Sequence, residues 1–251
     1  MSANGFIGVG EWLDRRAALS PARIGLVDVA SGQRLTYATL ATRARALAAL
    51  LAGHFAIHAG DRVAMLAANC PEYLDAFFAS ASLGAVFVPL NWRLTIPELT
   101  GILGDCAPAL LLYDEAHRAT AEALAEALAS TRAAGSSARL GLLELSALPG
   151  ADAPLAARAV PFATRDGEEP ALILYTSGTT GVPKGALLSH RMLTWNAINT
   201  QISWGLRESD IAPVFAPFFH AGGLNVLTTP LVHAGGTNVL LSASDPTAIL
   251  E

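Results

Sequence analysis

Charge is scarce in this chain, cysteine is scarcer, and long uninterrupted apolar runs are missing. Asp, Glu, Lys and Arg make up 15% of the residues against 52% hydrophobic. So little charge and so much apolar surface exclude a disordered or tail-like protein and demand a large buried core. Net charge is −5 and no basic run offers a nucleic-acid footprint. The densest basic pair, Arg15 and Arg16, reads as the solvated face of a helix. The two cysteines, Cys70 and Cys106, are too few for a disulfide framework. Neither lies in a CxxC or His-rich setting, so zinc is not expected; both flank apolar segments and read as buried thiols in a reducing compartment. The opening residues, MSANGFIGVGEWLDRR, lack a basic stretch followed by an apolar one and do not read as a signal peptide. The longest uncharged apolar run, 76–90, is too short to span a bilayer. These absences point to a soluble cytoplasmic protein.

What is present is alternation. Leu40, Ala44, Leu47, Ala48 and Leu51 share one helical face, and 62–67 (RVAMLA) reads as a buried strand. Leu74, Phe77, Phe78 and Ala81 return to helical spacing, and 85–89 (AVFVP) to a strand. A short helix over 96–104, a strand over 109–113 and a helix over 116–130 continue the series. This β-α-β order predicts an α/β fold with a parallel sheet covered by helices. Residues 131–169 carry loop signals, with a strand over 140–145. A strong buried strand covers 171–175, and Ser189 reads as the N-cap of a helix reaching about Ser203. Strand 211–216, helix 224–233 and strand 237–241 close the series. Ser244, Asp245 and Pro246 would open one more helix, which has a single turn before Glu251 and nothing to bury itself against. The expectation is a truncated chain.

Chemistry concentrates in YTSGTTGVPKG, 175–185. Thr176, Ser177, Thr179 and Thr180 offer hydroxyls; Gly178, Gly181 and Gly185 let the backbone turn and bring N–H groups to a ligand. Lys184 adds one mobile positive charge. A strand precedes the loop and a helix is expected just after it, so a polyanion there would meet N–H groups, hydroxyls and an ammonium together. It is not a P-loop of the GxxxxGK[ST] type: Pro183 precedes Lys184 and Gly185 follows it.

This loop resembles the phosphate-binding signature of the adenylate-forming enzymes: acyl- and aryl-CoA synthetases, peptide-synthetase adenylation domains and beetle luciferases. The continuation 187–193 (LLSHRML), the opening 12–51, the strand-helix-strand 60–95 and the segment 215–227 (FAPFFHAGGLNVL) are similar to the family's in the same order. Only 131–169 lacks a counterpart. The fold implied is the family's N-terminal domain. Residues 56–204 would form one subdomain; 1–50 and 205–251 would begin a second sheet left incomplete.

The resemblance implies a reaction in two halves. A carboxylate attacks the α-phosphorus of ATP and expels pyrophosphate; the thiol of coenzyme A then attacks the acyl-adenylate and releases AMP. It assigns Thr176, Ser177, Gly178, Thr179, Thr180, Gly181 and Lys184 to the phosphates, with Mg2+ bridging them. His220 would lie beside the carboxylate, and Gly222 and Gly223 would leave the acyl-pocket wall open. Lys184 and His220 are the catalytic candidates. Of the aromatic residues nearby, Phe219 reads as pocket or core and Trp195 as core. His190 reads as structural, and His54, His58, His117 and His233 receive no role. The adenine-binding segment, the acidic contact to Mg2+, the hinge and the C-terminal domain would lie beyond Glu251, so the fragment alone is not expected to turn over.

Two alternatives remain: an adenylation domain loading a carrier protein, and a non-catalytic nucleotide-binding fragment. PFFHAGG at 217–223 looks more like the free-standing CoA ligases for fatty, aromatic or alicyclic acids. The resemblance implies that a peptide-synthetase domain would carry an amino-acid-binding Asp just after its equivalent of His220; none occurs between Ala221 and Leu241, which disfavours an amino-acid substrate. An unfinished second sheet would expose strand edges, through which a homodimer could form.

Overall fold

The computed structural model describes residues 6–131, 140–149, 167–176 and 183–241. In chain order, helix α1 (Trp12–Leu19) leads into a hairpin of β1 (Ile24–Asp28) and β2 (Arg34–Thr36), then α2 (Tyr37–Gly53). Next come β3 (Arg62–Leu66), α3 (Pro71–Ser82), β4 (Val86–Pro89), α4 (Ile96–Cys106), β5 (Leu110–Tyr113), α5 (Arg118–Thr131) and β6 (Gly141–Glu144). β7 (Pro170–Thr176) and β8 (Lys184–Ser189) precede α6 (His190–Trp204). β9 (Ile211–Val214), α7 (Ala221–Gly223), a π turn over Leu224–Thr228, α8 (Thr229–Ala234) and β10 (Thr237–Leu240) complete the series.

The strands form two sheets. The six-stranded sheet has the order β6-β5-β3-β4-β7-β8 and is parallel except for β8; the four-stranded sheet has the order β2-β1-β10-β9. Along β3, alternate residues face opposite ways. Val63 and Met65 enter the core beneath α2 and α3, while Ala64 and Leu66 enter the core beneath α4 and α5. Burial of both faces is what a parallel sheet requires. The two sheets meet through rings: Tyr73 lies 5.9 Å from Phe87 of the larger sheet and 5.2 Å from Phe218, which follows the smaller one.

The helices start where the side chains can hold their first N–H groups. The Thr36 hydroxyl accepts from Thr39, Thr95 and Glu98 form a capping box, and Ser189 accepts from Met192. Arg62 closes the far end of α4, donating to the Cys106 and Ala107 carbonyls at 2.6 Å each.

Three features differ from the sequence expectation. First, 184–189 forms β8, a strand antiparallel to β7, where the sequence showed only loop; the helix expected from an N-cap at Ser189 does begin there, as α6. The run 184–189 is too short and Gly-containing to declare itself; its partner β7 makes it a strand. Second, Trp195 is 54% exposed rather than core, because α6 buries only His190, Leu193 and Ala197. Third, Arg16 is not a solvated companion of Arg15: it is half-buried and its guanidinium donates to the His233 carbonyl at 2.5 Å. The helix expected from Ser244 lies outside the described residues.

Candidate functional site

In an open parallel sheet, ligands meet the loops beyond the carboxyl ends of the strands. Here those ends are the residues after β3, β4, β5 and β7; Thr176 and Lys184 lie there, while His220, Gly222 and Gly223 follow β9 of the other sheet.

β7 ends at Thr176, paired across the hairpin with Lys184, and both are exposed. Ser177, Gly178, Thr179, Thr180 and Gly181 lie outside the described residues. The hairpin therefore fixes the two ends of the Gly/Thr loop. Alternation puts Thr176 and Lys184 on the sheet face that carries Leu172 and Leu174. These two leucines belong to the same core as Val214, Phe218 and Leu224, so Thr176 and Lys184 extend the sheet face that packs toward that core. The opposite face anchors the hairpin. Tyr175 donates to Asp105 at 2.5 Å, and a Cβ on Gly185 would meet Ile173 at 2.9 Å and the Tyr175 ring at 3.1 Å. Burial, reinforced by Asp105, holds the Tyr175 phenol well above its usual range, so it stays a neutral donor.

Because β8 intervenes, α6 begins at the far end of the hairpin, where Ser189 pairs with Pro170. A strand of six residues separates its N-terminus from the loop by about 17 Å. A helix dipole acts within its first turn. The α6 N-terminus therefore stands a strand's length from Lys184, and the helix expected beside the loop is not there to assist it.

His220 is exposed and caps α7; its N–H donates to the Pro217 carbonyl at 3.1 Å. Its ring lies 4.7 Å from that of Phe219, which is buried. Phe219 meets Trp92 edge-on at 6.5 Å, and Arg93 lies over both rings, 4.6 Å from Trp92 and 5.8 Å from Phe219. Trp92 also meets His117 at 5.8 Å, and His117 is held by Asp114 at 2.5 Å. The result is a wall of rings with one cation at the carboxyl edge. The sequence alone marked Phe219 and His220 but not Trp92, Arg93 or Asn69; the available signal was their position just after strands 62–67 and 85–89.

The two glycines divide. A Cβ on Gly222 would meet nothing within 4 Å, whereas one on Gly223 would lie 2.2 Å from the Pro217 oxygen. Gly222 alone leaves space open; Gly223 is needed for close packing.

The remaining groups have structural surroundings. His190 is buried, accepts from the Val9 N–H at 3.1 Å, and is held below its usual pKa by burial. Burial pushes the Cys106 thiol up to about 11 and Cys70 well above its ordinary value, so neither is a ready nucleophile. Among the described residues no cluster of three His, Cys, Asp or Glu side chains could hold a metal ion, so no residue here is assigned to the Mg2+ that the resemblance implies. Among them, too, no helix is long and apolar enough to cross a membrane.

Comparison with known proteins agrees with this geometry. Feruloyl-CoA synthase from Amycolatopsis is 40% identical over 243 residues, covering 97% of this chain and 46% of that protein. The indoleacetate–CoA ligase of Aromatoleum aromaticum is 41% identical over 224 residues, 88% of this chain and 42% of the relative. The crystal structure of ATP-bound MatB from Rhodopseudomonas palustris matches with a TM-score of 0.81 at 29% identity, covering 97% of this chain and 47% of that one. The chain thus spans about half the length of the curated relatives it matches. The fold is that of the N-terminal domain of adenylate-forming enzymes, and the profile described as AMP-binding enzyme matches residues 13–251. The chain belongs to the AMP-binding enzyme family.

Proposed function

We propose that this chain supplies the triphosphate grip and one wall of the acyl pocket to an enzyme that joins a carboxylic acid to coenzyme A through an acyl-adenylate. The observation that carries the reading is the β7–β8 hairpin, which sets exposed Thr176 opposite exposed Lys184 at the carboxyl edge of the parallel sheet.

In the first half-reaction a carboxylate oxygen bonds to the α-phosphorus of ATP, and the bond to the β-phosphate's bridging oxygen breaks. Pyrophosphate leaves with the electron pair. Negative charge grows on the departing group, and donors aimed at it lower the barrier. Lys184, Thr176 and the loop between them are those donors. In the second half the coenzyme A thiol loses its proton as its sulfur bonds to the acyl carbon; the bond from that carbon to the phosphate oxygen breaks, and AMP leaves with the electron pair. Mg2+, when bound, would offset phosphate charge.

The acid's chemistry is read from the wall. His220 stands beside Phe219 and Trp92, with Arg93 over the rings and open space at Gly222. A half-buried Trp92 ring, a guanidinium above it and open space at Gly222 suit an aromatic carboxylic acid better than a small polar one. The names of the two relatives, ferulate and indoleacetate ligases, favour the same class. The six-stranded sheet, within 56–204, would carry the grip and the Trp92 and Arg93 side of the wall; the segment 205–251 would add Phe219, His220 and Gly222. Cytoplasmic residence and a homodimer belong to the same proposal. β8 and β9 are sheet edges with Leu187 59% and Ile211 68% exposed; a light-scattering mass of one chain would rule the dimer out.

The test is acid-dependent pyrophosphate exchange by the full-length protein across aromatic, fatty and alicyclic acids. We expect exchange with aromatic acids, and a fall of about 10²–10³-fold, roughly 2.7–4 kcal/mol of barrier, in Lys184→Ala. Exchange that no acid stimulates refutes the function; an undiminished Lys184→Ala refutes the grip.

A further inference from the structure

We propose that Asn69 is a positioning residue for His220: it clamps the 216–218 turn to the end of β3 and thereby sets where the imidazole stands. The proposal rests on the acyl-site reading of His220 given above.

Asn69 lies three residues beyond the end of β3. Its Nδ2 donates to the Ala216 carbonyl at 2.9 Å, and its Oδ1 accepts from the Phe218 N–H at 2.9 Å. Since a carbonyl can only accept and an N–H can only donate, the partners fix which way the amide faces. One side chain thus pairs with two backbone groups, as a strand neighbour would, across 147 and 149 residues of sequence.

Both sides of this clamp are braced. Behind it, the neighbouring Ala68 N–H donates to Asp114 at 2.9 Å, tying the end of β3 to the end of β5. In front, Gly223 passes so near that a Cβ there would lie 2.5 Å from the Ala216 oxygen. The Ala216 carbonyl is therefore held between the Asn69 amide and the backbone of Gly223. Phe218 is fully buried, with its ring 5.2 Å from Tyr73. Two residues on, His220 closes the turn through its own N–H to Pro217 at 3.1 Å. Among the described residues its imidazole makes ring contact with Phe219 and no hydrogen bond. The aim of that ring is set by the backbone beneath it, and the backbone is set by Asn69. The clamp also joins the two sheets, so it couples the strand ends of one to the substrate-side segment of the other.

The experiment compares Asn69→Ala, Asn69→Asp, His220→Ala and the double variant Asn69→Ala/His220→Ala in the full-length protein. It reads KM and kcat for acid and ATP separately by pyrophosphate exchange, with melting temperature as a check on folding. Loss of two hydrogen bonds should lower kcat/KM for the acid by about tenfold while KM for ATP stays within about twofold. Asn69→Asp keeps the acceptor for Phe218 but sets a carboxylate oxygen against the Ala216 carbonyl, so it should be impaired at least as much as Asn69→Ala; it carries the same comparison should Asn69→Ala not fold. If Asn69 acts through His220, the double variant is no worse than His220→Ala, within about twofold. A damaged His220→Ala combined with a multiplicative double variant, or equal losses toward acid and ATP, overturns the proposal alone. An unimpaired His220→Ala overturns the acyl-site reading and the proposal with it.

Discussion

Gly222 and Gly223 are neighbours in α7, yet alanine should act oppositely at the two. At Gly223 the new Cβ would lie 2.2 Å from the Pro217 oxygen and 2.5 Å from the Ala216 oxygen. A carbon–oxygen contact settles at about 3.3 Å, so the 216–218 turn must retreat by roughly 1 Å. That turn cannot retreat freely, because Asn69 holds both its carbonyl and its N–H at 2.9 Å. Overpacking against backbone costs about 1–3 kcal/mol, and each strained hydrogen bond adds about 0.5–1.5 kcal/mol. A total near 3 kcal/mol would lower the melting temperature by roughly 6–12 °C in a chain of this size. At Gly222 nothing lies within 4 Å of the new Cβ. Alanine there gains helix propensity of at most about 1 kcal/mol and should leave the melting temperature unchanged or raise it by up to roughly 4 °C. The extra methyl would instead intrude on the open wall and raise KM for bulky ring acids. Thermal melts followed by circular dichroism, with acid KM measured beside them, check both halves. If Gly223→Ala melts with wild type, the close-packing argument is wrong.

Further outcomes follow from burial. Arg43 binds Asp75 at 2.6 Å and Glu72 at 2.9 Å, pinning α2 to α3. Arg43→Met strands a buried carboxylate and should cost about 3–5 kcal/mol. Burial lifts Asp75 to about 6 despite the opposing pull of Arg43. A folded-state pKa raised above the unfolded value of about 3.9 favours the protonated form, so this group's contribution is complete below that value and lost as pH rises through about 6. The Arg43→Met penalty should therefore shrink from pH 8 to pH 5 in urea titrations; a constant penalty would contradict it. Phe218→Ala should cost about 3–5 kcal/mol by cavity formation, whereas Trp195→Ala, at a side chain 54% exposed, should cost under about 1 kcal/mol by the same titrations. Equal losses would restore Trp195 to the core.

The order of strands and helices, the burial of the parallel sheet and the Gly-, hydroxyl- and Lys-rich character of 175–185 are all local properties. Residues a few positions apart carry them in periodicity, caps and a dense mix of Gly, hydroxyls and Lys, so they are legible in the sequence. β8 is not local: 184–189 becomes a strand because β7 offers it a ladder, and that pairing carries the α6 N-terminus away from the loop. The exposure of Trp195 depends on which face of α6 its neighbours cover. The ring wall of Trp92, Arg93 and Phe219, and the Asn69 clamp on the 216–218 turn, join residues more than a hundred positions apart. Such contacts exist only once one sheet packs on the other; no local pattern specifies them, because the free energy that selects them is spread over the whole core between the two sheets.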